Sequence, residues 1–239
     1  MNQVITVRDI SNRDFLELYA RPGRIGLAGG STLVDRVIRR AERRVSADGK
    51  WGTWSHAFVF GERRCDGHQW VIESDLAAVH KHIRLGVQEN RMAKYYDEEL
   101  YGTLAILDFG ISGEQLQSLL CHGLQLMSDA TKYSVRELFG TLIALKKPEL
   151  RLKENVLARD RSFFCSAFVQ HVYRQVGIDL APGINAKHTT PEDISATAIP
   201  HTRWVLHREL GESKTKEKVR KVLSRVRSKA QRIKSSATE

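Results

Sequence analysis

Hydrophobic residues recur at helical spacing in several segments of the chain. The clearest segment is 112–127, where Ser112 and Gln115 occupy the positions of a capping box and five apolar residues share one face. The same pattern predicts helices over 11–19, 32–44 and 135–145. A short helix is also predicted to open at Thr190-Pro191-Glu192-Asp193, because a cap residue there precedes a proline and two acidic residues.

Apolar runs with a period of two predict strands between these helices. WSHAFVF (54–60) and QWVIES (69–74) flank the turn-rich ERRCDGH, which predicts a β-hairpin. Alternating apolar residues at 83, 85 and 87, then TLAILDF (103–109) and WVLH (204–207), extend the predicted sheet. Helices, strands, helices and a last strand in this order predict an α+β fold, with an antiparallel sheet packed against helices.

Charge divides the chain into a nearly neutral body and a basic tail. We expect one domain over 1–210 and a separate tail over 211–239, because residues 213–239 contain ten Lys or Arg against two Glu, or +8 of the net +10. Apolar residues recur at three- and four-residue steps in the tail, which predicts an amphipathic helix. Such a helix, over 213–234, fits contact with an anionic membrane or with nucleic acid, or packing on the body.

The rest of the composition indicates a folded protein of a reducing compartment. Hydrophobic residues make up 41% of the chain, which is enough for a core, and the three cysteines suggest neither a disulfide framework nor a zinc ribbon. No apolar run is long enough for a transmembrane helix, and the N-terminal segment lacks the apolar stretch of a signal peptide. We therefore expect a cytoplasmic protein.

Cys165 lies in RSFFCSAFVQHVY (161–173), in the first turn of a helix predicted to start at 160 or 162 and to end near Gly177. A free cysteine is often a small buried residue, and that interpretation stays open here. A helix N-terminus also stabilises a thiolate, which makes Cys165 a candidate nucleophile. A nucleophile of this kind needs a base and a third group that orients the base.

His56 and Glu73 are the candidates for those two roles, because each is a polar residue inside an apolar strand. Strand parity places both on one face of the predicted hairpin. A tight turn at Asp66-Gly67 would pair residue 60 with 73 and separate His56 from Glu73 by about 13 Å along the strand. A wider loop over 63–66 sets them directly opposite each other, and we predict that register.

With these residues the sequence resembles the circularly permuted papain-like amidases of the NlpC superfamily, particularly the YiiX-like branch. The histidine of WSHAFVF and the glutamate of VIES precede the cysteine of FFCSAFVQHVYRQVG, the order found in that branch. PGRIGLAGGSTLVDRVIRRAE near the N-terminus, Tyr133 in TKYS, and TPEDI are further similarities, and together they cover residues 22–195. The family's opening Gly-Asp is Gly23-Arg24 here, and the aspartate that often follows its tyrosine is Ser134.

The resemblance implies a cysteine peptidase or amidase that works through a thioester. Cys165 would attack a carbonyl, His56 would move the proton, and Glu73 would orient the imidazole. The backbone N–H of Cys165 is the first candidate for the oxyanion, and the hydroxyl of Tyr133 is a second, although a tyrosine there also fits simple packing.

Two other classes of function remain open. A lipid-directed acyltransferase or thiol esterase would use the basic tail at a membrane, and a non-catalytic binding module would use it on nucleic acid or a protein. We expect no metal or other cofactor, because Cys65 with His68, and His80 with His82, lack a convincing fourth ligand. GLAGGST (26–32) also lacks the Gly-Lys-Ser/Thr ending of a phosphate-binding loop.

Overall fold

The computed structural model describes residues 2–44, 49, 51–79, 82–129, 132–133 and 162–207. The backbone divides into two units, 1–207 and 208–239, and the second lies wholly outside the described residues. The predicted helix over 135–145 also lies outside them. The description below therefore concerns the first unit.

A seven-stranded sheet forms the centre of this unit, and its order is β1-β9-β6-β2-β3-β4-β5. Neighbouring strands from β9 to β5 in this order are all antiparallel, as predicted, whereas β1 runs parallel to β9. A separate two-stranded parallel pair joins β7 to β8. The strands are β1 (Gln3–Val7), β2 (Ile25–Gly30), β3 (His56–Arg63), β4 (Gln69–Val79), β5 (His82–Arg91), β6 (Tyr101–Asp108), β7 (Lys132–Tyr133), β8 (Ser162–Phe163) and β9 (Thr202–Leu206).

Five α-helices lie among the described residues: α1 (Asn12–Tyr19), α2 (Leu33–Ala41), α3 (Gly113–Ser128), α4 (Cys165–Gln175) and α5 (Pro191–Ser195). Short 3₁₀ turns cover Glu42–Arg44, Met92–Tyr96 and Ala186–His188. The predicted caps are confirmed, since Ser11, Thr32, Ser112 and Thr190 each accept a hydrogen bond from the backbone N–H three residues later. No helix in the described part of the chain has both the length and the apolar character needed to cross a bilayer.

The sheet is covered on both faces, which explains why β2 is buried along its whole length and the middle residues of β3 and β6 are buried. Ala57 and Val59 face one core, which includes Leu119 of α3 and Phe168 of α4. Phe58 and Phe60 alternate with them and face a second core with Phe15, Leu16, Met92 and Tyr95. His56 is the first residue of the strand that carries both rows, so it lies at one end of β3.

Four of the described strands were absent from the sequence prediction: β1, β2, β7 and β8. Of these, β2 includes most of the glycine-rich GLAGGST and is a fully buried strand between β3 and β6. The ring of Phe58 explains the glycine at position 26, because a Cβ there would lie 2.2 Å from the ring. A strand built for such close packing has a low β-propensity, so its sequence gives little sign of its structure.

Two predicted boundaries need correction. The helix of Cys165 starts at Cys165 itself, not at 160 or 162, because 162–163 form strand β8. The predicted end at Gly177 fits its left-handed backbone, with φ of +82°. In the hairpin, Phe60 pairs with Val71 and Arg63 with Gln69, and the register shifts between them.

The predicted hairpin register is therefore wrong by two residues. Continued to the start of β3, the pairing of Val59 with Ile72 sets His56 beside Asp75, not Glu73. The position of the turn accounts for the difference: Arg64 donates to the carbonyl of His68, and this register alone would set the partner of His56 three positions beyond Glu73. The irregularity between Phe60 and Arg63 then shifts the pairing back by one residue. A shift of two residues preserves the predicted face, so His56 and Glu73 remain on the same side of the sheet.

Candidate functional site

His56 and Glu73 meet diagonally across the β3–β4 pair. The Nε2 atom of His56 lies 2.6 Å from Oε2 of Glu73, and the carboxylate is completely buried. Diagonal neighbours across a sheet are about 7–8 Å apart at the backbone, which a glutamate side chain spans. The contact expected from the sequence is thus present, although the strands reach it through a different register.

Three further donors surround the Glu73 carboxylate. Asn90 Nδ2 and Lys94 Nζ donate to its Oε1 atom at 2.6 and 2.8 Å, and the hydroxyl of Tyr95 donates to Oε2. Lys94 also donates to Oδ2 of Asp75 at 2.5 Å. The two oxygens of Glu73 therefore share four partners, so the orientation of the carboxylate is fixed before any ligand arrives.

The electrostatics of this cluster keep Glu73 ionised. Burial is the largest influence and would raise the pKa of Glu73, but the ammonium of Lys94 and the contact with His56 outweigh it and hold that pKa well below its usual range. Burial likewise opposes the charge of Lys94, and the carboxylates of Glu73 and Asp75 nevertheless raise the pKa of Lys94 above its ordinary value. Both groups are charged at neutral pH.

Cys165 occupies the first position of α4 and is 4% exposed. The preceding residue, Phe164, caps the helix without any side-chain hydrogen bond, in contrast to the Ser and Thr caps of the other four helices. The first-turn N–H groups of α4 thus have no capping side chain, and their partial positive charge acts on the Cys165 sulfur.

Cys165 lies close enough to His56 for its negative charge to affect the ring. Because Glu73 takes Nε2 of the ring, Nδ1 is the nitrogen left for another partner. Burial is the largest effect on the ring and opposes its protonation, but the charges and hydrogen bonds of Cys165 and Glu73 raise the pKa of His56 well above its ordinary value. His56 thus contacts Glu73 directly and lies within electrostatic range of Cys165.

A second buried carboxyl group, that of Glu42, lies close enough to feel the charge of Cys165. Its Oε1 atom accepts the backbone N–H of Glu192 at the start of α5, 3.3 Å away. Burial, followed by the negative charges of Glu192, Asp193 and Cys165, raises the pKa of Glu42 well above its ordinary value. A neutral Glu42 does not repel a thiolate at Cys165.

The metal-binding potential of the site is limited by Lys94. Potential ligand atoms of His56, Glu73 and Asp75 lie within 4.8 Å of one another. The ammonium of Lys94, however, already contacts both carboxylates, and a cation placed among them would have to displace it. The charges of Glu73 and Asp75 are therefore balanced by a side chain of the protein.

Tyr133, the second oxyanion candidate, is placed only by its backbone. It pairs in the β7–β8 ladder with Phe163, which precedes Cys165 by two residues. Its side chain is outside the described residues, so its role stays a prediction. Asn90, Lys94 and Tyr95 were not singled out from the sequence, and the one available signal was indirect: a carboxylate in an apolar strand requires a cation or several donors.

Comparisons with known proteins give only distant structural similarity. No protein-family model matches the chain, and no curated protein matches it. Among solved structures, the metalloprotein YiiX from Escherichia coli O157:H7 is similar, with a TM-score of 0.48 and 14% identity over 79% of this chain and 97% of that chain. At this level the likeness assigns neither a family nor an activity, and the chain is described as a mixed α/β protein with a seven-stranded sheet and packed helices.

Proposed function

We propose that the chain is a cysteine hydrolase with a circularly permuted papain-like fold, in which Cys165, His56 and Glu73 form a catalytic triad that cleaves an amide bond. The observation that carries the proposal is the 2.6 Å contact between His56 and a buried carboxylate that three other donors also hold. A thiol at an uncapped helix N-terminus, near enough for its charge to affect the same imidazole, supports it. A histidine between a thiol and a fixed acid is the arrangement that activates a cysteine nucleophile.

The reaction follows from the charges of these groups. The Cys165 thiolate attacks the carbonyl carbon, a C–S bond forms, and the carbonyl oxygen becomes an oxyanion beside the backbone N–H groups at the start of α4. When the C–N bond breaks, imidazolium His56 gives its proton to the leaving amine, which leaves a thioester on Cys165. His56 then removes a proton from water, the hydroxide attacks the thioester, and the C–S bond breaks to release a carboxylic acid.

Glu73 has the role of orienting the ring. Its contact with Nε2 fixes the tautomer that presents Nδ1 to the sulfur, and its negative charge stabilises the imidazolium formed in both half-reactions. The three other donors on Glu73, which are Asn90, Lys94 and Tyr95, prevent the carboxylate from rotating away from His56.

The test is alkylation by iodoacetamide, followed at each cysteine by mass spectrometry. Cys65 and Cys121 are exposed and Cys165 is buried, so accessibility alone predicts that Cys165 reacts slowest. The thiolate pair predicts that it reacts fastest, and that the advantage grows as the pH falls from about 8 to 6, where ordinary thiols lose their thiolate. Because the pKa of His56 is raised, the imidazolium is present below that pKa, and the pair loses its positive partner as the pH rises through it.

Variants complete the test. His56→Ala should remove the advantage of Cys165, whereas His68→Ala, an exposed histidine in the hairpin loop, should leave it unchanged. A Cys165 that is inert in the native protein, or no faster than Cys65 and Cys121, would rule out the nucleophile. Amide and ester libraries, with Cys165→Ala as the blank, then define the scissile bond.

A second candidate is acyl transfer to or from a lipid by the same three residues. It is favoured by the basic tail, which supplies +8 within residues 213–239 and an apolar stripe on the same segment. Thioester formation would be identical, and an alcohol or amine of a lipid would replace water in the second step. Salt-sensitive binding to anionic vesicles that is lost on deletion of 213–239 would favour this reaction over simple hydrolysis.

A further inference from the structure

Helix α2 and the loop after it carry exposed cations together with exposed apolar side chains. Arg36, Arg40 and Arg43 are exposed, Val37 is 55% exposed, and Trp51 is 50% exposed. We name these five residues the α2 surface. None of them takes part in the chemistry described above, and arginines next to a valine and a tryptophan in water need a separate explanation.

The acidic residues of the same segment do not balance these arginines. Oδ2 of Asp35 accepts hydrogen bonds from the backbone N–H and hydroxyl of Thr32, at 2.9 and 2.6 Å, and so serves the helix cap. Glu42 is completely buried, and burial raises its pKa well above the ordinary value, which leaves it neutral. The charge that α2 presents to solvent is therefore positive.

Trp51 is held on α2 by hydrogen bonds of its neighbour. The backbone N–H of Gly52 donates to the carbonyl oxygen of Arg39 at 2.8 Å, and Nε of Arg39 donates to the carbonyl oxygen of Gly52 at 2.8 Å. Nε of Arg43 donates to the carbonyl of Gly49 at 2.8 Å in the same loop. The exposed indole is thus carried by a loop that is fastened to the helix bearing the arginines.

We propose that the α2 surface docks on an anionic lipid bilayer. Arginines supply the attraction to acidic headgroups, and tryptophan is the side chain enriched at the boundary between headgroups and acyl chains. Val37 favours a bilayer over nucleic acid as the partner. Transfer of an exposed aliphatic side chain into acyl chains lowers its free energy, whereas contact with a phosphate backbone lowers it little. The proposal adds a second membrane contact, within the folded body, to that of the basic tail.

The position of this surface suits a substrate presented at the membrane. Trp51 precedes His56 by five residues, which span at most about 18 Å even when fully extended. In the same loop, the backbone N–H of Thr53 donates to Glu192 of α5, beside the buried Glu42 that feels the charge of Cys165. A docked α2 would hold the site near the bilayer, and this consequence for the substrate rests on the proposed function, whereas docking itself does not.

The experiment measures binding of the full chain to phosphatidylcholine vesicles with and without phosphatidylglycerol. The test variant is Arg36→Gln/Arg40→Gln/Arg43→Gln. The control is Arg8→Gln/Arg13→Gln/Arg21→Gln, which removes the same charge from exposed positions elsewhere. At about 1 kcal/mol for each arginine at an anionic surface, the test variant should bind acidic vesicles roughly 100-fold more weakly, and the control only a few-fold more weakly. The tail is the same in every protein, so its contribution cancels.

A second measurement detects the apolar contact. Vesicles with brominated acyl chains should quench tryptophan fluorescence in the wild type. Trp51→Phe should abolish most of that quenching, because Trp54 is buried in the core and Trp70 and Trp204 are half-buried. Equal affinities of the test and control variants, or quenching that persists in Trp51→Phe, would overturn docking. Loss of affinity for duplex DNA through the same arginines, with unchanged vesicle binding, would also overturn it. The vesicle-binding measurement is repeated with Cys165→Ala. Unchanged binding by this variant shows that docking does not depend on the proposed chemistry.

Discussion

Replacement of Lys94 by methionine tests the charge balance behind the proposed triad. The ammonium is 26% exposed and lies 2.8 Å from Glu73 and 2.5 Å from Asp75, while Glu73 is fully buried. Methionine keeps most of the aliphatic stem and removes the charge, which leaves a buried carboxylate without its cation. Removing one partner of a buried ion pair costs about 3–5 kcal/mol. Because Lys94 and Asp75 are partly exposed, water replaces some of the loss, and we expect the lower end, about 3 kcal/mol.

The same substitution should change a pH profile. Without Lys94, burial dominates the environment of Glu73 and its pKa rises from its depressed value. A carboxylate with a lowered pKa stabilises the fold above the pKa of the unfolded chain, and that stability is lost as the pH falls through the folded pKa. Raising the folded pKa therefore moves the acid loss to higher pH, at one pH unit for each 1.36 kcal/mol of interaction removed. A protonated Glu73 no longer stabilises the positive charge of His56 through their hydrogen bond. The alkylation rate of Cys165 should therefore fall over the same pH range.

Urea unfolding and iodoacetamide rates across pH measure both effects on one set of proteins. Lys94→Arg retains the charge and should recover most of the wild-type profile. Arg63→Met removes a cation from an exposed pair with Glu17 and should cost less than about 1 kcal/mol. The reasoning fails if Lys94→Met is as stable as Arg63→Met and its alkylation profile matches the wild type, because Glu73 would then not depend on the ammonium.

Three further substitutions test the packing around the site. Gly52→Ala would place a Cβ 2.6 Å from Oε2 of Glu42, so the melting temperature of this variant should fall by an amount equivalent to about 1–3 kcal/mol. Gly102→Ala, where no atom lies within 4 Å of the new Cβ, should melt at nearly the wild-type temperature. Glu42→Gln should flatten the pH dependence of the free energy of unfolding. A carboxyl with a raised pKa stabilises the fold below its unfolded pKa, and that stability is lost as the pH rises through the folded pKa. An unchanged dependence of the unfolding free energy on pH would contradict a raised pKa at Glu42. Tyr173→Phe removes the hydrogen bond to the carbonyl of Gly23 and should cost about 1–3 kcal/mol in urea unfolding.

The hairpin shows which part of the site can be predicted from sequence. The period-two pattern of WSHAFVF and VIES fixes which side chains share a face, and His56, Phe58, Phe60 and Glu73 do so. The register depends on the irregularity between Phe60 and Arg63, where the apolar alternation gives no sign of an extra residue. The face was therefore predictable, whereas the partner directly across the sheet was not.

Asn90, Lys94 and Tyr95 illustrate a second limit. They reach Glu73 from 17 to 22 residues away along the chain, out of the end of β5 and the 3₁₀ turn that follows it. Local patterning encodes burial and periodicity, and it does not specify which of several polar residues will meet a given carboxylate. The apolar surroundings of Glu73 indicate that a cation must lie near it. Only the fold shows that this cation is Lys94.

The pairing of β1 with β9 has a consequence for how the chain folds. Among the described strands, β1 forms its ladder only with the strand at 202–206, nearly 200 positions later. During synthesis residues 3–7 leave the ribosome long before their partner exists, so this edge must form after nearly all of the domain has been translated. Pairings between such distant segments are slow to form, because the entropy of closing the intervening loop is paid first. In pulsed hydrogen exchange during refolding, we expect the amides of β1 to gain protection after those of the β3–β4 hairpin.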